Sequence, residues 1–160
     1  MCPSFCMSSG SLLRCFNVVL ATQLLEHLPE PQKFFSETHR VLKNGGILIL
    51  TVPLMNPVHE VPHDFLRYTL SGLVYWAKKN GFKIIRVKEQ GGICTILTFL
   101  LGYYIWDATA KLPWGLRNLT RTLVTPIQLF TLLDNSIFQN RRYALNYCLT
   151  AQKLYDYSKG

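Results

Sequence analysis

Apolar runs and helical spacing alternate in the first part of the chain. The runs Phe16–Ala21 and Ile47–Val52 are apolar on both faces, which is typical of buried strands. Between these runs the apolar positions follow the period of a helix. They are Phe34, Phe35, Thr38, Val41 and Leu42. Pro31 suits the first turn of this helix, and Asn44-Gly45-Gly46 predicts its end.

A second pair of helix and strand follows a loop over residues 53–68, which three prolines punctuate. Helical spacing resumes with Thr69 or Ser71 as the N-cap and Asn80-Gly81 as the C-terminal stop. The segment Lys83–Lys88 predicts a third strand, and Tyr143–Ala151 predicts a last one. This order predicts an α/β layered fold with a mainly parallel sheet.

Residues 93–138 interrupt the alternation before the last strand. The uncharged stretch Gly91–Trp106 is shorter than the roughly 20 residues that span a bilayer, so a transmembrane helix is disfavoured. Its aromatic residues, followed by Lys111, Arg117 and Arg121, favour peripheral contact with an anionic membrane. A helical hairpin that packs on itself, on the sheet or over a greasy substrate explains the same pattern equally well.

Composition and charge narrow the classes of partner. The chain of 160 residues is 49% apolar and only 16% charged, which excludes disorder and allows one domain. Its net charge of +8 is spread along the sequence, so a nucleic-acid groove is not predicted. Five cysteines without a CxxC pair, and the lack of a signal-peptide pattern, favour the cytoplasm or the surface of a membrane facing it.

The segment His59–His63 fits the H-E-x-x-H pattern of zinc proteases. That motif requires a helix that places both histidines on one face. Pro62 lies inside the segment and Pro57 just before it, so a helix is disfavoured and we predict no metal site.

Polar and titratable side chains nevertheless crowd this loop. They are His59, Glu60, His63, Asp64, Arg67 and Tyr68. Ligands of open α/β sheets bind beyond the carboxyl ends of the strands. The histidines and the aspartate are therefore candidate catalytic proton acceptors, and the other three are candidate substrate contacts. The alternative is a structural loop that an Asp64–Arg67 ion pair holds in place.

The same order of motifs resembles the class I S-adenosylmethionine-dependent methyltransferases, specifically the methyltransferase type 11 group. The resemblance covers residues 16–92, with a looser match over 143–153. Four segments carry it: Leu24–Pro29, Arg40–Gly46, Thr51-Val52-Pro53 and His59–Thr69.

This resemblance implies a Rossmann-like fold and S-adenosylmethionine as the cofactor. It implies methyl transfer to an acceptor oxygen, nitrogen or carbon, and the apolar residues 93–138 favour a small or lipid-linked acceptor. Ala21, Thr22, Glu26 and His27 would border the methionine side of the cofactor, because they follow the strand that corresponds to the family's fourth.

The family's glycine-rich turn and its ribose-binding acidic residue precede that fourth strand, and residues 1–15 contain neither feature. We therefore expect an N-terminally truncated domain: an irregular segment over 1–15, and a partial methyltransferase domain over 16–160 with a helical insertion over 93–138. Such a fragment is expected to be inactive alone, and to need a partner chain over its exposed sheet edge. The alternative is a non-catalytic interaction subunit with the same fold.

Overall fold

The computed structural model describes residues 14–132 and 143–154, and in these residues four strands form one sheet. The strands are β1 (Phe16–Thr22), β2 (Leu42–Pro53), β3 (Phe82–Gln90) and β4 (Asn146–Lys153). Their spatial order is β1-β2-β4-β3. Residues 1–13 of the predicted irregular segment and 133–138 of the predicted insertion lie outside the described ranges.

Helices alternate with the first three strands. They are α1 (Pro31–Val41), α2 (Leu70–Lys79), α3 (Ile93–Ala108) and α4 (Trp114–Val124). A 3-10 turn covers Leu25–His27 and a longer 3-10 segment covers Thr125–Leu132. The alternation confirms the predicted α/β class. No helix of the described ranges is both long enough and apolar enough to cross a bilayer.

The last strand of the chain, β4, lies between β2 and β3 and runs antiparallel to both. β1 and β2 are parallel, with Ala21 opposite Leu50. Near the end of β4, Gln152 hydrogen-bonds to Gly45, which lies near the start of β2. At the opposite ends of these two strands, Leu54 follows β2 and Leu145 precedes β4, and these two residues also hydrogen-bond to each other. The residue after β4 likewise bonds to the residue before β3. β1, β2 and β3 therefore share one direction, and β4 runs against it.

The end of α1 differs from the prediction. The helix ends at Val41 rather than at Asn44, because Leu42 is extended and already belongs to β2. The N–H of Cys15 donates to the carbonyl of Val41 at 2.8 Å, so strand pairing begins before the predicted end of the helix. The pairing of β1 with β2 is irregular just beyond, and Gly45 has φ +76° there. The glycine pair thus marks a β-bulge and not a helix cap.

The chain forms two compact units. The sheet unit contains residues 14–52, 60–88 and 148–154, and the helical unit contains 53–59, 89–132 and 143–147. In the sheet unit, α1 contacts α2, and the buried rings of Phe35 and Phe82 lie 6.4 Å apart. In the helical unit, α3, α4 and the 3-10 segment contact one another, as the hairpin alternative predicts.

Candidate active site

The carboxyl ends of β1 and β2 are joined by a polar residue in an unusual conformation. Gln23 has φ +48°, its N–H donates to the carbonyl of Thr51 at 3.0 Å, and its side-chain amide donates to the Thr51 hydroxyl at 3.3 Å. Ala21 is buried and Thr22 is exposed. Polar groups are therefore presented at the end of the sheet where ligands of this fold class bind.

The 3-10 turn that follows anchors the loop before α2. The backbone carbonyl of Glu26 accepts hydrogen bonds from the N–H groups of Phe65 and Leu66, at 2.9 and 3.2 Å. The hydroxyl of Tyr68 donates to the carbonyl of Leu25 at 3.4 Å. The Glu26 side chain itself is fully buried under this loop. The turn and residues 60–69 therefore form one structure.

The imidazole of His27 is arranged as a proton acceptor. Its Nδ1 lies 2.7 Å from the backbone carbonyl of His63. Because a carbonyl oxygen can only accept, Nδ1 carries the hydrogen and Nε2 carries the lone pair. Nε2 lies 3.9 Å from Oε1 of Glu26 and 3.8 Å from Oε2 of Glu60. Nε2 of His27 is therefore within ion-pair distance of two carboxylates.

Asp64 and Arg67 form a bidentate ion pair. Both carboxylate oxygens accept from the guanidinium, one of them at 2.7 Å, and the Asp64 side chain is almost fully buried. The hydrogen bond to Asp64 raises the pKa of Arg67 above its usual value, against a smaller lowering by burial. This pair is the structural contact that the sequence left open as the alternative role of these two residues.

Tyr68 is held in its neutral form. Burial raises the pKa of Tyr68 to about 12, and the negative charge of Glu26 adds to the increase. The phenol is therefore a hydrogen-bond donor and not a base at neutral pH.

The loop histidines have different surroundings. The segment 59–63 is not helical, as predicted. In the helical unit, the Nδ1 of His59 lies 3.1 Å from the carbonyl of Pro57. In the sheet unit, the His63 side chain is exposed and its ring centroid lies 6.3 Å from that of Phe65. His63 therefore enters the site through its backbone, at His27.

Sequence reasoning assigned His27 to the cofactor and missed this arrangement. The signal in the sequence was the pair Glu26-His27 directly after a buried strand. The approach of Glu60 and the carbonyl of His63 depends on how the loop folds back, which no spacing in the sequence reveals.

Comparisons with known proteins give a family for part of the chain and relatives of its fold. Residues 13–50, which hold β1, the 3-10 turn, α1 and most of β2, match the family model of a methyltransferase domain. No curated protein matches the chain in sequence.

Several solved structures share the fold. The cyclase SpnF has a TM-score of 0.57 and 19% identity, with 94% of this chain and 55% of that chain covered. A methyltransferase from Methanosarcina mazei has a TM-score of 0.52 and 14% identity, with 94% and 65% covered. Phosphoethanolamine N-methyltransferase 2 from Haemonchus contortus, in complex with S-adenosyl-L-methionine, has a TM-score of 0.51 and 17% identity, with 89% and 34% covered.

At these identities the structures establish the fold, and the chain spans about half the length of the first of them. One of them is a cyclase, so the fold does not by itself set the reaction. The match to the methyltransferase family model adds information on function, because it includes the strand and the turn that contribute to the candidate site. Residues 13–50 are thus similar to the methyltransferase domain family, and the described residues share the Rossmann-like fold of S-adenosylmethionine-dependent methyltransferases.

Proposed function

We propose that the protein transfers the methyl group of S-adenosylmethionine to a small or lipid-linked acceptor. The observation that carries the proposal is the position of His27. Its basic nitrogen lies between two carboxylates, in the segment that matches the methyltransferase family.

The residues present fit the methionine side of the cofactor. Ala21, Thr22, Glu26 and His27 are the proposed contacts, at the end of β1 and in the turn after it. The buried carboxylate of Glu26 gives this end of the sheet a negative field, which suits a sulfonium and an ammonium group. When bound, the cofactor supplies an electrophilic methyl group.

The chain's own groups then handle the proton of the acceptor. The acceptor oxygen or nitrogen forms a bond to the methyl carbon as the carbon–sulfur bond breaks, and its proton passes to Nε2 of His27. Glu26 and Glu60 stabilise the resulting imidazolium. His59 and His63 remain the other proposed proton acceptors. We propose that Asp64 positions the loop, since Arg67 engages both of its oxygens.

The acceptor would meet the outer side of this loop. Glu60 is the most open of the proposed substrate contacts, with its side chain 72% exposed beside His27. Arg67 and Tyr68 are more enclosed, because both also contact other residues of the protein. They would contact the acceptor only through the atoms that remain exposed to solvent. A cationic or hydroxyl-bearing acceptor suits Glu60 best.

Methyl transfer can be measured with tritium-labelled S-adenosylmethionine in millimolar excess, using lipid and polar metabolite extracts as acceptors. The fragment is expected to be inactive at ordinary cofactor concentrations, and we expect the millimolar excess to allow measurable transfer by the wild-type protein. His27→Gln should lower kcat by about 100-fold or more and also raise the KM for the cofactor, because His27 is a proposed cofactor contact as well. His63→Gln is the competing test and not a neutral control, because His63 is another proposed proton acceptor, whereas the described ion pairs join these carboxylates to His27. Loss of activity in His63→Gln alone would move the base to His63, and no transfer by wild type would contradict the proposed function.

A second candidate function follows from the edge of the sheet. β1 is paired on one side only, and Leu20 is 65% exposed. We propose that a partner segment covers this edge. If the protein proves inactive, that surface favours the non-catalytic interaction subunit.

We further propose that the protein works in the cytoplasm at a membrane surface, with peripheral contact through residues 93–138. The support is the apolar exterior of the helical unit, where Leu97, Tyr104 and Trp114 are exposed. Such a location would suit a lipid-linked acceptor.

A further inference from the structure

Helix α3 has an apolar stripe on its solvent side. Leu97, Leu100, Leu101 and Tyr104 follow the spacing of one helical face, and all four are exposed. Leu97 is 59% and Tyr104 is 71% exposed. An ordinary surface helix would carry charged residues on this face, and here none of the positions is charged.

The apolar surface continues past the end of α3 into α4. Trp106 is 57% and Trp114 is 73% exposed, and Leu116 and Leu119 of α4 are exposed as well. Tryptophan and tyrosine are the residue types that settle at the boundary between lipid headgroups and acyl chains. We name this surface, from Leu97 to Leu119, the outer helical face.

The charges beside the outer helical face are mostly positive. Between residues 91 and 132 the sequence has Lys111, Arg117 and Arg121, but only Asp107 as an acid. Among the residues that the structure describes, no carboxylate forms an ion pair with any of these three bases. The guanidinium of Arg121 lies 3.3 Å from the ring centroid of Trp106, so a positive charge is fixed on the apolar surface itself.

We infer that the outer helical face binds the surface of an anionic lipid bilayer. The leucines and Tyr104 enter the acyl boundary, the two tryptophans lie at the headgroup level, and the three bases face lipid phosphates. The inference rests on the proposed membrane contact and adds the lipid charge and the residues that recognise it. The charge pattern favours an anionic lipid surface over a protein partner, because the three bases lie beside exposed apolar side chains and pair with none of the described carboxylates.

Flotation of the purified protein with vesicles tests the inference without cofactor or acceptor, so its result is independent of methyl transfer. The vesicles contain phosphatidylcholine alone, or equal parts of phosphatidylcholine and phosphatidylglycerol. We expect flotation with the anionic vesicles, at least tenfold weaker flotation with the neutral ones, and a decrease as salt is added.

Two variants separate the apolar and the charged contributions. We expect the double substitution Leu97→Ser with Tyr104→Ser to lower vesicle affinity at least tenfold. Lys111→Gln should lower it about fivefold, the usual effect of one base near an anionic surface. The matched controls are Tyr75→Ser and Lys83→Gln, which are exposed residues of the sheet unit.

Tryptophan emission gives a second measurement that does not depend on yield. Trp76→Phe removes the one tryptophan outside the outer helical face, which leaves Trp106 and Trp114 as reporters. Anionic vesicles should shift their emission to shorter wavelength. The inference would be overturned by equal flotation of all variants or by flotation that is the same with neutral and anionic vesicles. Self-association through this face without vesicle binding would overturn it as well.

Discussion

The carboxylate of Glu26 influences the charge state of the groups around it. It lies 3.9 Å from Nε2 of His27, and its charge contributes to the raised pKa values of Arg67 and Tyr68. Because Glu26 is fully buried, solvent screens these interactions little. Burial is the larger cause of the raised pKa of Tyr68, and the hydrogen bond to Asp64 is the largest cause at Arg67, so Glu26 adds to both shifts without setting either alone.

The raised pKa of Tyr68 predicts a loss of stability in alkali. In the unfolded chain the phenol ionises near pH 10, and in the folded chain near pH 12. The folded state therefore gains stability that is fully present below pH 10 and is lost as the pH rises toward 12. We expect a loss on the order of 2 kcal/mol over the whole range, of which about half is present at about pH 11. Urea unfolding of wild type and Tyr68→Phe at about pH 9 and about pH 11 measures it, and equal pH dependence in both proteins would contradict it.

The ion pair of Asp64 and Arg67 predicts that Arg67 matters for folding. Arg67→Ala leaves the buried carboxylate of Asp64 without its bidentate partner, and we expect a loss of about 3 kcal/mol. Lys33→Ala is the control, because it breaks the exposed pair with Glu30 at the same spacing and should cost below about 1 kcal/mol. Denaturant unfolding compares the two. Equal costs, together with a loss of methyl transfer in Arg67→Ala, would make Arg67 a substrate contact.

Among the elements, α2 offers the clearest local test. The sequence allowed either Thr69 or Ser71 as its N-cap, and in the structure the Thr69 hydroxyl accepts from the N–H of Gly72 at 3.2 Å. Thr69→Ala should lower the free energy of unfolding by about 1 kcal/mol. Ser71→Ala should leave it nearly unchanged, since Ser71 is an exposed residue inside the helix. Thermal unfolding distinguishes them, and the reverse order would place the cap at Ser71.

Elements with strong local signals were predictable from the sequence. β1 and β2 follow from largely apolar runs, and α2 follows from its capping residues, but β1 was predicted to be buried and is mostly exposed because it is paired on one side only. The end of α1 was wrong because the pairing of Leu42 with β1 outweighs the glycine signal. In the candidate site, Glu26, His27 and the loop were predictable from their place after strands. The contacts of His27 were not, since they depend on the path of the loop.

At the scale of the whole molecule, the residues proposed to bind the cofactor cover only one side of it. The 160-residue chain contains no Gly-x-Gly-x-Gly turn, and its proposed contacts lie on the methionine side. Each missing charge-assisted hydrogen bond is worth about 1.5–3 kcal/mol. Calorimetry on the chain alone should therefore show S-adenosylmethionine binding weaker than micromolar. A micromolar or tighter Kd would mean that these residues suffice.

The place of β4 sets an order for folding during synthesis. β2 and β3 are not neighbours in the sheet; each pairs with β4, which the ribosome makes after both of them and after α3 and α4. Until residues 146–153 leave the ribosome, the described strands β2 and β3 keep open edges that face no strand. A nascent chain that stalls within α4 would therefore expose two unpaired edges, which makes it a target for chaperones and for aggregation.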